Sequence, residues 1–300
     1  MAISIKRLKR ITENIFFPFS ENPNNKQLEK EYIDPDLPIY AFYHIYAANN
    51  WKSILTEQIT DLKRSGLYHR INKIYVSIIC NSEDDYNFAV NKLGEKAEFI
   101  HKTNNSKVYE FPALEYLKNK ADREEFYCLY FHTKGSGNSN QTLQWYKPAV
   151  KTLKDLIEIS SGWRQFMAYW NFYKYKLAIS VIQNPQWGGV YGANYQMVEN
   201  GKHFYAGNFW WATSSYIQTC ESFDVIDKTW RFNAETWLLE RKQKDIYDAY
   251  RMTVNLVAVK FPIKILTGNR LDKIISKNIF YYRHINFSMK KIMRRLSESK

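Results

Sequence analysis

Apolar runs of strand length alternate with amphipathic segments from residue 39 onward. Four runs rich in Ile, Val, Tyr and Phe predict strands: IYAFYHIY, INKIYVSIIC, AEFIHKT and EFYCLYFH, at residues 39–46, 71–80, 97–103 and 125–132. Apolar residues at helical spacing predict a helix in each gap, in NNWKSILTEQITDLKRSGLY, DDYNFAVNKLGEK and FPALEYLKNKADR. Asn50 can cap the first helix and Gly66 can end it. The alternation predicts an open, mostly parallel α/β sheet with helices on both faces.

The second half of the chain changes character twice. Residues 140–183 are rich in Trp and Tyr at helical spacing, which predicts helices that cover the sheet. The segments WGGVYGAN and HFYAGNFWWATSSYI return to strand composition with glycine turns, and RFNAETWLLERK predicts another helix. We therefore expect a polar leader at 1–37, an α/β domain at 38–259 and a basic amphipathic helical tail at 260–300.

The three cysteines indicate a reducing compartment. Cys80, Cys128 and Cys220 are widely spaced, and two of them lie in apolar runs, which favours buried thiols over disulfides or a zinc site. Residues 1–20 have no apolar stretch long enough for a signal peptide or a membrane span. We expect a cytoplasmic protein.

The formal net charge of +13 is concentrated at the two ends of the chain. Residues 1–10 carry four basic residues and no acid, and residues 260–300 carry eleven Lys or Arg against two acids. The region between them is balanced, so a nucleic-acid partner is not indicated. The tail predicts an amphipathic helix on anionic lipid at the inner face of the cell membrane. Packing on its own domain or RNA binding are the alternatives for the tail.

The fourth predicted strand ends in a turn rich in hydrogen-bond donors. Ligands of open α/β sheets bind beyond the carboxyl ends of the strands. There the sequence has His132, Thr133, Lys134 and Gly135, with no acid beside them. The alternative is that His132 satisfies a buried hydrogen bond and Lys134 is solvated.

Several sequence words together resemble a group of bacterial glycosyltransferases with a GT-A-like fold. These words are YFHTKG after the fourth strand, the Trp-rich helical stretch, GNFWWA on a later strand, and RFNAETWL. Members of this group act in the biosynthesis of capsule, lipopolysaccharide O-antigen and related surface glycans. The resemblance covers roughly residues 38–240 and implies transfer from a nucleotide-diphosphate sugar.

Most GT-A enzymes have an Asp-x-Asp metal motif where this chain has His132, Thr133 and Lys134. A departing diphosphate needs positive charge, and lysine and histidine can supply that charge without a metal ion. The glycine at position 135 lets backbone N–H groups approach the phosphates. The resemblance therefore implies a site without a cofactor. Asp84 and Asp85 offer a rival site for Mg²⁺ or Mn²⁺, although acids there also suit a helix start.

The resemblance assigns further residues to the donor and to the base. Glu235 is the expected general base of an inverting displacement, with a carboxylate at a helix start as the alternative. Arg231 pairs with Glu235 or reaches a phosphate. Tyr109 and Glu110 match a Tyr-Glu pair that could contact the donor, or they begin a helix.

The word GNFWW is the expected acceptor or sugar contact. It contains Gly207, Asn208, Trp210 and Trp211. Asn hydrogen-bonds sugar hydroxyls, and an indole face stacks on a pyranose. Alternation sends the two Trp side chains to opposite faces of a strand, so one of them suffices for the sugar.

The resulting prediction is an inverting, metal-independent glycosyltransferase that acts on a glycan or lipid-linked glycan acceptor. Two other classes stay open, a non-catalytic module that binds a glycan or nucleotide sugar, and an RNA-binding protein.

Overall fold

A computed structural model gives the structure of the chain. It describes residues 19–147, 150–197, 201–240, 246–252 and 259–298, and for residues 286–298 it describes the helical backbone alone. The basic segment at residues 1–10 lies outside this range.

The chain forms a mixed α/β structure. The strands are β1 (Phe19–Glu21), β2 (Ile39–Tyr46), β3 (Ile71–Ile79), β4 (Ala97–Thr103), β5 (Tyr127–His132), β6 (Val190–Gly192), β7 (Tyr195–Met197), β8 (His203–Tyr205), β9 (Trp210–Thr213), β10 (Ile246–Asp248) and β11 (Tyr250–Met252). The α-helices are α1 (Asn25–Lys30), α2 (Trp51–Arg64), α3 (Leu67–Arg70), α4 (Glu83–Leu93), α5 (Phe111–Ala121), α6 (Asn140–Tyr146), α7 (Leu153–Ala168), α8 (Tyr175–Gln183), α9 (Ser214–Gln218), α10 (Phe232–Thr236), α11 (Lys264–Thr267) and α12 (Arg270–Glu298). A π-helical segment spans Tyr169–Tyr173, and 3₁₀ turns span Ser106–Val108, Pro185–Trp187 and Trp237–Leu239.

The strands and helices predicted for the first half are confirmed, with one local correction. Helix α2 begins after Asn50 as expected, but the Asn50 side chain makes no capping hydrogen bond. Gly66 ends this region in the left-handed conformation, with φ of 81°, which glycine adopts without a steric penalty.

The chain divides into two compact units. One consists of residues 22–137 and 167–249, and the other of residues 1–21, 138–166 and 250–300. Residues 22–37 of the predicted leader thus belong to the unit that contains the main sheet.

The main sheet has seven strands in the order β10-β6-β9-β5-β2-β3-β4. Strands β4, β3, β2 and β5 are parallel to one another, and β9 runs antiparallel to both β5 and β6. The sheet is therefore mixed and mostly parallel, as the alternation predicted.

Helices cover both faces of this sheet. On one face, α5 and α9 pack over a cluster that includes Phe42, Tyr130 and Trp210. On the other face, the Tyr43 ring stacks on Phe131 at 4.2 Å, and the Tyr43 hydroxyl donates to Gln58 of α2. Neighbouring residues of β2 thus face opposite cores, which explains why its run is apolar apart from His44.

The second unit contains the β1–β11 pair and the C-terminal helix. The predicted tail helix is confirmed as α12, and its Phe280 ring packs against Phe261 at 5.4 Å. No helix among the described residues is both long enough and apolar enough to cross a membrane.

Candidate functional site

The carboxyl ends of β2 and β5 lie side by side at the point where the strand order reverses. The chain proceeds from β2 to β3 and β4 on one side, and β5 then pairs with the other edge of β2. In open α/β sheets this reversal opens a crevice beyond the strand ends, and ligands bind there.

The turn after β5 is fastened to β2. The Thr133 amide donates to the carbonyl of His44 at 3.1 Å, and the Tyr46 amide donates to the Thr133 hydroxyl at 2.9 Å. The Ser136 amide closes a turn onto the Thr133 carbonyl at 3.1 Å. Gly135 occupies the third position of this turn with φ of 88°, which favours glycine. The turn holds the half-buried Lys134 at the carboxyl edge of the sheet.

Glu110 lies at the centre of a buried polar network. Its Oε2 accepts from the Tyr130 hydroxyl at 2.8 Å and from the Asn208 amide at 2.7 Å. Its Oε1 lies 3.2 Å from Nδ1 of His132. The second ring nitrogen of His132, Nε2, lies 2.9 Å from the carbonyl of Gly207. Since both ring nitrogens face acceptors, the geometry fits a doubly protonated imidazolium paired with a carboxylate.

The electrostatics of Glu110 agree with this pairing. Burial on its own raises the pKa of a carboxyl group, but the charge and hydrogen bond of His132, with smaller contributions from His44 and Tyr130, outweigh the effect of burial. The pKa of Glu110 is consequently well below its ordinary value, and the group stays ionised. For Tyr130, burial and the charge of Glu110 raise the pKa well above its ordinary value, with a smaller contribution from Glu235.

The segment RFNAETW also reaches this network. The Asn208 amide lies 3.4 Å from the carbonyl of Ala234, the residue before Glu235. Glu235 is buried near the start of α10, and its Oε1 lies 3.5 Å from the exposed guanidinium of Arg231. Glu110 therefore contacts the HTKG and GNFWW motifs directly, and the RFNAETW motif reaches Glu110 through Asn208.

The backbone is strained at this site. Tyr109 has φ of 51° and ψ of −137°, and Asn208 has φ of 55°. Asparagine tolerates positive φ, but a bulky aromatic residue there is a genuine outlier. Strained residues concentrate at active sites and ligand clamps, where the surrounding structure holds them in place. The position of Tyr109, next to Glu110, thus favours a functional role for this edge.

The prediction that the His132 ring contacts a diphosphate does not fit the geometry. Both of its ring nitrogens are engaged by Glu110 and Gly207, so neither ring N–H is left for an outside phosphate. His132 instead connects β5 to the segment that carries Gly207 and Asn208.

The prediction that Trp210 or Trp211 stacks on a sugar ring does not fit the structure. Trp210 and Trp211 are 1% and 0% exposed. The Trp210 ring stacks on Tyr130 at 5.0 Å, and the indole N–H of Trp211 donates to the carbonyl of Asn171. Alternation sends them to opposite faces as predicted, but both faces are core, so neither indole is open to a sugar.

The acidic segment at residues 83–85 makes the contacts of a helix start. The Asp85 amide donates to the Ser82 side chain, and the Asp85 carboxylate pairs with Lys52 at 3.0 Å. Glu83 pairs with Lys102 at 2.5 Å. Within the described ranges, no group of three or more His, Cys, Asp or Glu side chains is arranged to hold a metal ion.

A row of polar residues beside the network was missed by the sequence reasoning. His132 pairs in register with His44, His44 with Ser77, and Ser77 with His101, across four parallel strands. Within the described part of the chain, His44 Nδ1, Ser77 Oγ and His101 Nε2 are buried without a hydrogen-bond partner. Burial lowers the pKa of His44 to about 4. A polar residue near the end of each apolar run was the signal that could have revealed this row.

Comparisons with known proteins found no matching family model and no matching curated protein. Among solved structures, the chain is similar to 4-diphosphocytidyl-2C-methyl-D-erythritol synthase from Anaerococcus prevotii DSM 20548, with 11% sequence identity and a TM-score of 0.33. This match covers 81% of the present chain and 96% of that chain. At this TM-score the match adds nothing to the fold described above.

Proposed function

We propose that the chain is a GT-A-like glycosyltransferase that transfers a sugar from a nucleotide-diphosphate sugar to a glycan acceptor. The observation that carries the proposal is the convergence of the Tyr-Glu pair, HTKG, GNFWW and RFNAETW around Glu110. The convergence lies at the carboxyl edge of the sheet, where open α/β folds bind their ligands. Chance motif matches would not be expected to meet at one buried carboxylate.

The donor diphosphate binds at the turn after β5 in this proposal. Lys134 supplies a positive charge at the strand end, and the positive φ of Gly135 lets backbone N–H groups approach the phosphates. Thr133 is the residue that fastens this turn to β2. Charge placed where the leaving group departs stabilises the transition state more than the ground state. Tyr109 is the further donor contact, held in its strained conformation beside Glu110.

Glu110 and His132 act as positioning residues in this scheme. Their ion pair, and the hydrogen bonds to Gly207 and Asn208, hold the acceptor-side segment against β5. A site must be held to within a fraction of an ångström of its productive geometry, which a buried and fully paired network provides.

Glu235 is the general base. Its carboxylate takes the proton of the acceptor hydroxyl while that oxygen forms the new bond to the anomeric carbon. The bond from that carbon to the diphosphate oxygen breaks in the same step, and the nucleoside diphosphate leaves with the electron pair. A single displacement of this kind inverts the anomeric configuration. Arg231 orients the Glu235 carboxylate from 3.5 Å.

The test is turnover of a panel of nucleotide sugars, measured as release of nucleoside diphosphate with and without a chelator. The wild type should release diphosphate from at least one donor, and Glu235→Gln should lower the rate by about 10²–10⁴-fold. Glu240→Gln is the matched control, because Glu240 is an exposed acid of the same region that pairs with Lys202. Its rate should stay close to wild type.

Three outcomes would count against the proposal. Donor binding without turnover would favour the non-catalytic module. Full activity of Glu235→Gln would remove that residue as the base. Loss of turnover on addition of the chelator would point to a bound metal ion, and Asp84 and Asp85 would then again be candidate metal ligands.

A further inference from the structure

Helix α12 exposes an apolar stripe along one side. Five of its large apolar side chains are 47–68% exposed: Leu271, Ile274, Ile275, Ile279 and Tyr282. Their spacing of three, four and seven residues places them on one helix face. Single exposed apolar residues are ordinary on protein surfaces, but a contiguous stripe marks an interaction site.

The opposite side of the same helix is already docked. Ser276, Phe280 and His284 are buried, and they follow one another at intervals of four residues. The Phe280 ring lies 5.4 Å from that of Phe261 and 6.0 Å from that of Phe19. The helix is therefore held by one face, and the exposed stripe is not its contact with its own core.

Positive charge flanks the stripe. Arg270, Lys277 and Arg283 are exposed on the two sides of the apolar face. Asp272, the one acid of residues 270–285, lies 3.5 Å from Lys264, which offsets its charge. Residues 260–300 as a whole carry eleven basic residues against two acids. A second copy of this face would bring like charges together, so an anionic surface is the complementary partner.

We propose that this face of α12 docks on the surface of an anionic bilayer. The five apolar side chains enter the boundary between headgroups and acyl chains, and the flanking basic residues contact lipid phosphates. The stripe from Leu271 to Tyr282 runs about 17 Å along the helix axis, which suits a helix lying in the plane of the interface. This inference rests on α12 alone and is independent of the proposed catalytic function.

The experiment is vesicle flotation of the full chain at low and high salt. The vesicles contain phosphatidylcholine alone or phosphatidylcholine with phosphatidylglycerol as its anionic component. We expect binding to the anionic vesicles, weakened by salt because screening reduces surface electrostatics. The triple variant Ile274→Ser/Ile275→Ser/Ile279→Ser should bind about tenfold more weakly or worse. The triple variant Arg270→Gln/Lys277→Gln/Arg283→Gln should have an affinity for anionic vesicles about a hundredfold lower, because each charge contributes roughly 1 kcal/mol.

The control is Ile33→Ser/Val225→Ser, which removes two even more exposed apolar side chains elsewhere and should bind as wild type. Circular dichroism checks that each variant is folded. Equal binding to neutral and anionic vesicles, or no binding at all, would overturn the proposal. A second copy would cover the stripe if the wild type is a dimer that does not bind vesicles and the Ile→Ser triple variant is a monomer.

Discussion

At the scale of single residues, the site is organised by a buried ion pair. The side chains of Glu110 and His132 are 9% and 12% exposed, and their polar atoms contact Tyr130, Asn208, Gly207 and each other. Two buried charges lose much of their hydration, and their mutual attraction repays this only when the remaining polar atoms are also satisfied. Here Glu110 is hydrogen-bonded to Tyr130 and Asn208, and His132 is hydrogen-bonded to Gly207. The pair is better suited to holding geometry than to adding stability.

The buried His44 makes stability depend on pH. Its folded pKa of about 4 lies below the ordinary value of 6.5, so the unfolded chain binds more protons between these values. Stability therefore falls as pH drops from about 6.5 to about 4, by roughly 3 kcal/mol from this residue. The groups around it are Glu110, His132 and His101.

We predict that His44→Gln flattens this acid dependence, because glutamine does not titrate. Urea unfolding at several pH values between 4.5 and 7 measures the slope. His69→Gln, which changes an exposed histidine, should keep the wild-type slope. Parallel slopes for wild type and His44→Gln would show that another group carries the acid sensitivity.

At the scale of elements, the close approach of β6 and β8 requires a glycine. A Cβ atom on Gly192 would lie 2.5 Å from ring atoms of Tyr205. That ring is buried, and its hydroxyl donates to the carbonyl of Tyr247 at 2.8 Å, so it cannot easily move away. We predict that Gly192→Ala lowers the free energy of unfolding by about 1–3 kcal/mol.

Chemical denaturation measures this change, with Gly137→Ala as the matched control. A Cβ atom there would make an ordinary contact at 3.6 Å with the Tyr46 ring, so its cost should stay within about 0.5 kcal/mol. A Gly192→Ala protein as stable as wild type would mean that β8 shifts to accommodate the methyl group.

The first half of the fold was predictable because each element is long and strongly patterned. Strands β2 to β5 and helices α2, α4 and α5 each carry a clear apolar period. The antiparallel insertion of β9 between β5 and β6 was not predictable. Strands β6 and β9 have only three and four residues, and β9 pairs with β5 across a long stretch of chain. Such pairings depend on tertiary packing, which local patterns do not specify.

The alignment of His101 with the polar row was hidden for a related reason. Val76 pairs with Phe99, but Ser77 pairs with His101, so the register skips one residue of β4. A bulge of this kind changes which face a side chain occupies. Strict alternation along β4 therefore assigns His101 to the wrong face.

At the scale of the whole molecule, the sequence motifs come together in the fold, but several of the contacts predicted for them are wrong. The words HTKG, GNFWW and RFNAETW do meet at one edge of the sheet. The role of each side chain depends on whether it is buried, and a sequence motif does not show this. Trp210, Trp211 and His132 all turn inward, whereas Lys134 and Arg231 keep some or most of their surface exposed.

The proposed function requires the turn after β5 to bind the diphosphate of a nucleotide sugar. Calorimetric titration of nucleoside diphosphates into wild type and Lys134→Met, with a chelator present, measures this binding. We expect the wild type to bind in the presence of the chelator. The dissociation constant of Lys134→Met should be at least about tenfold higher, because a charge-assisted hydrogen bond contributes roughly 1.5–3 kcal/mol. Lys26→Met, an exposed lysine on α1, should bind as wild type. Equal affinity of wild type and Lys134→Met, or binding that the chelator abolishes, would show that this turn is not a metal-independent diphosphate site.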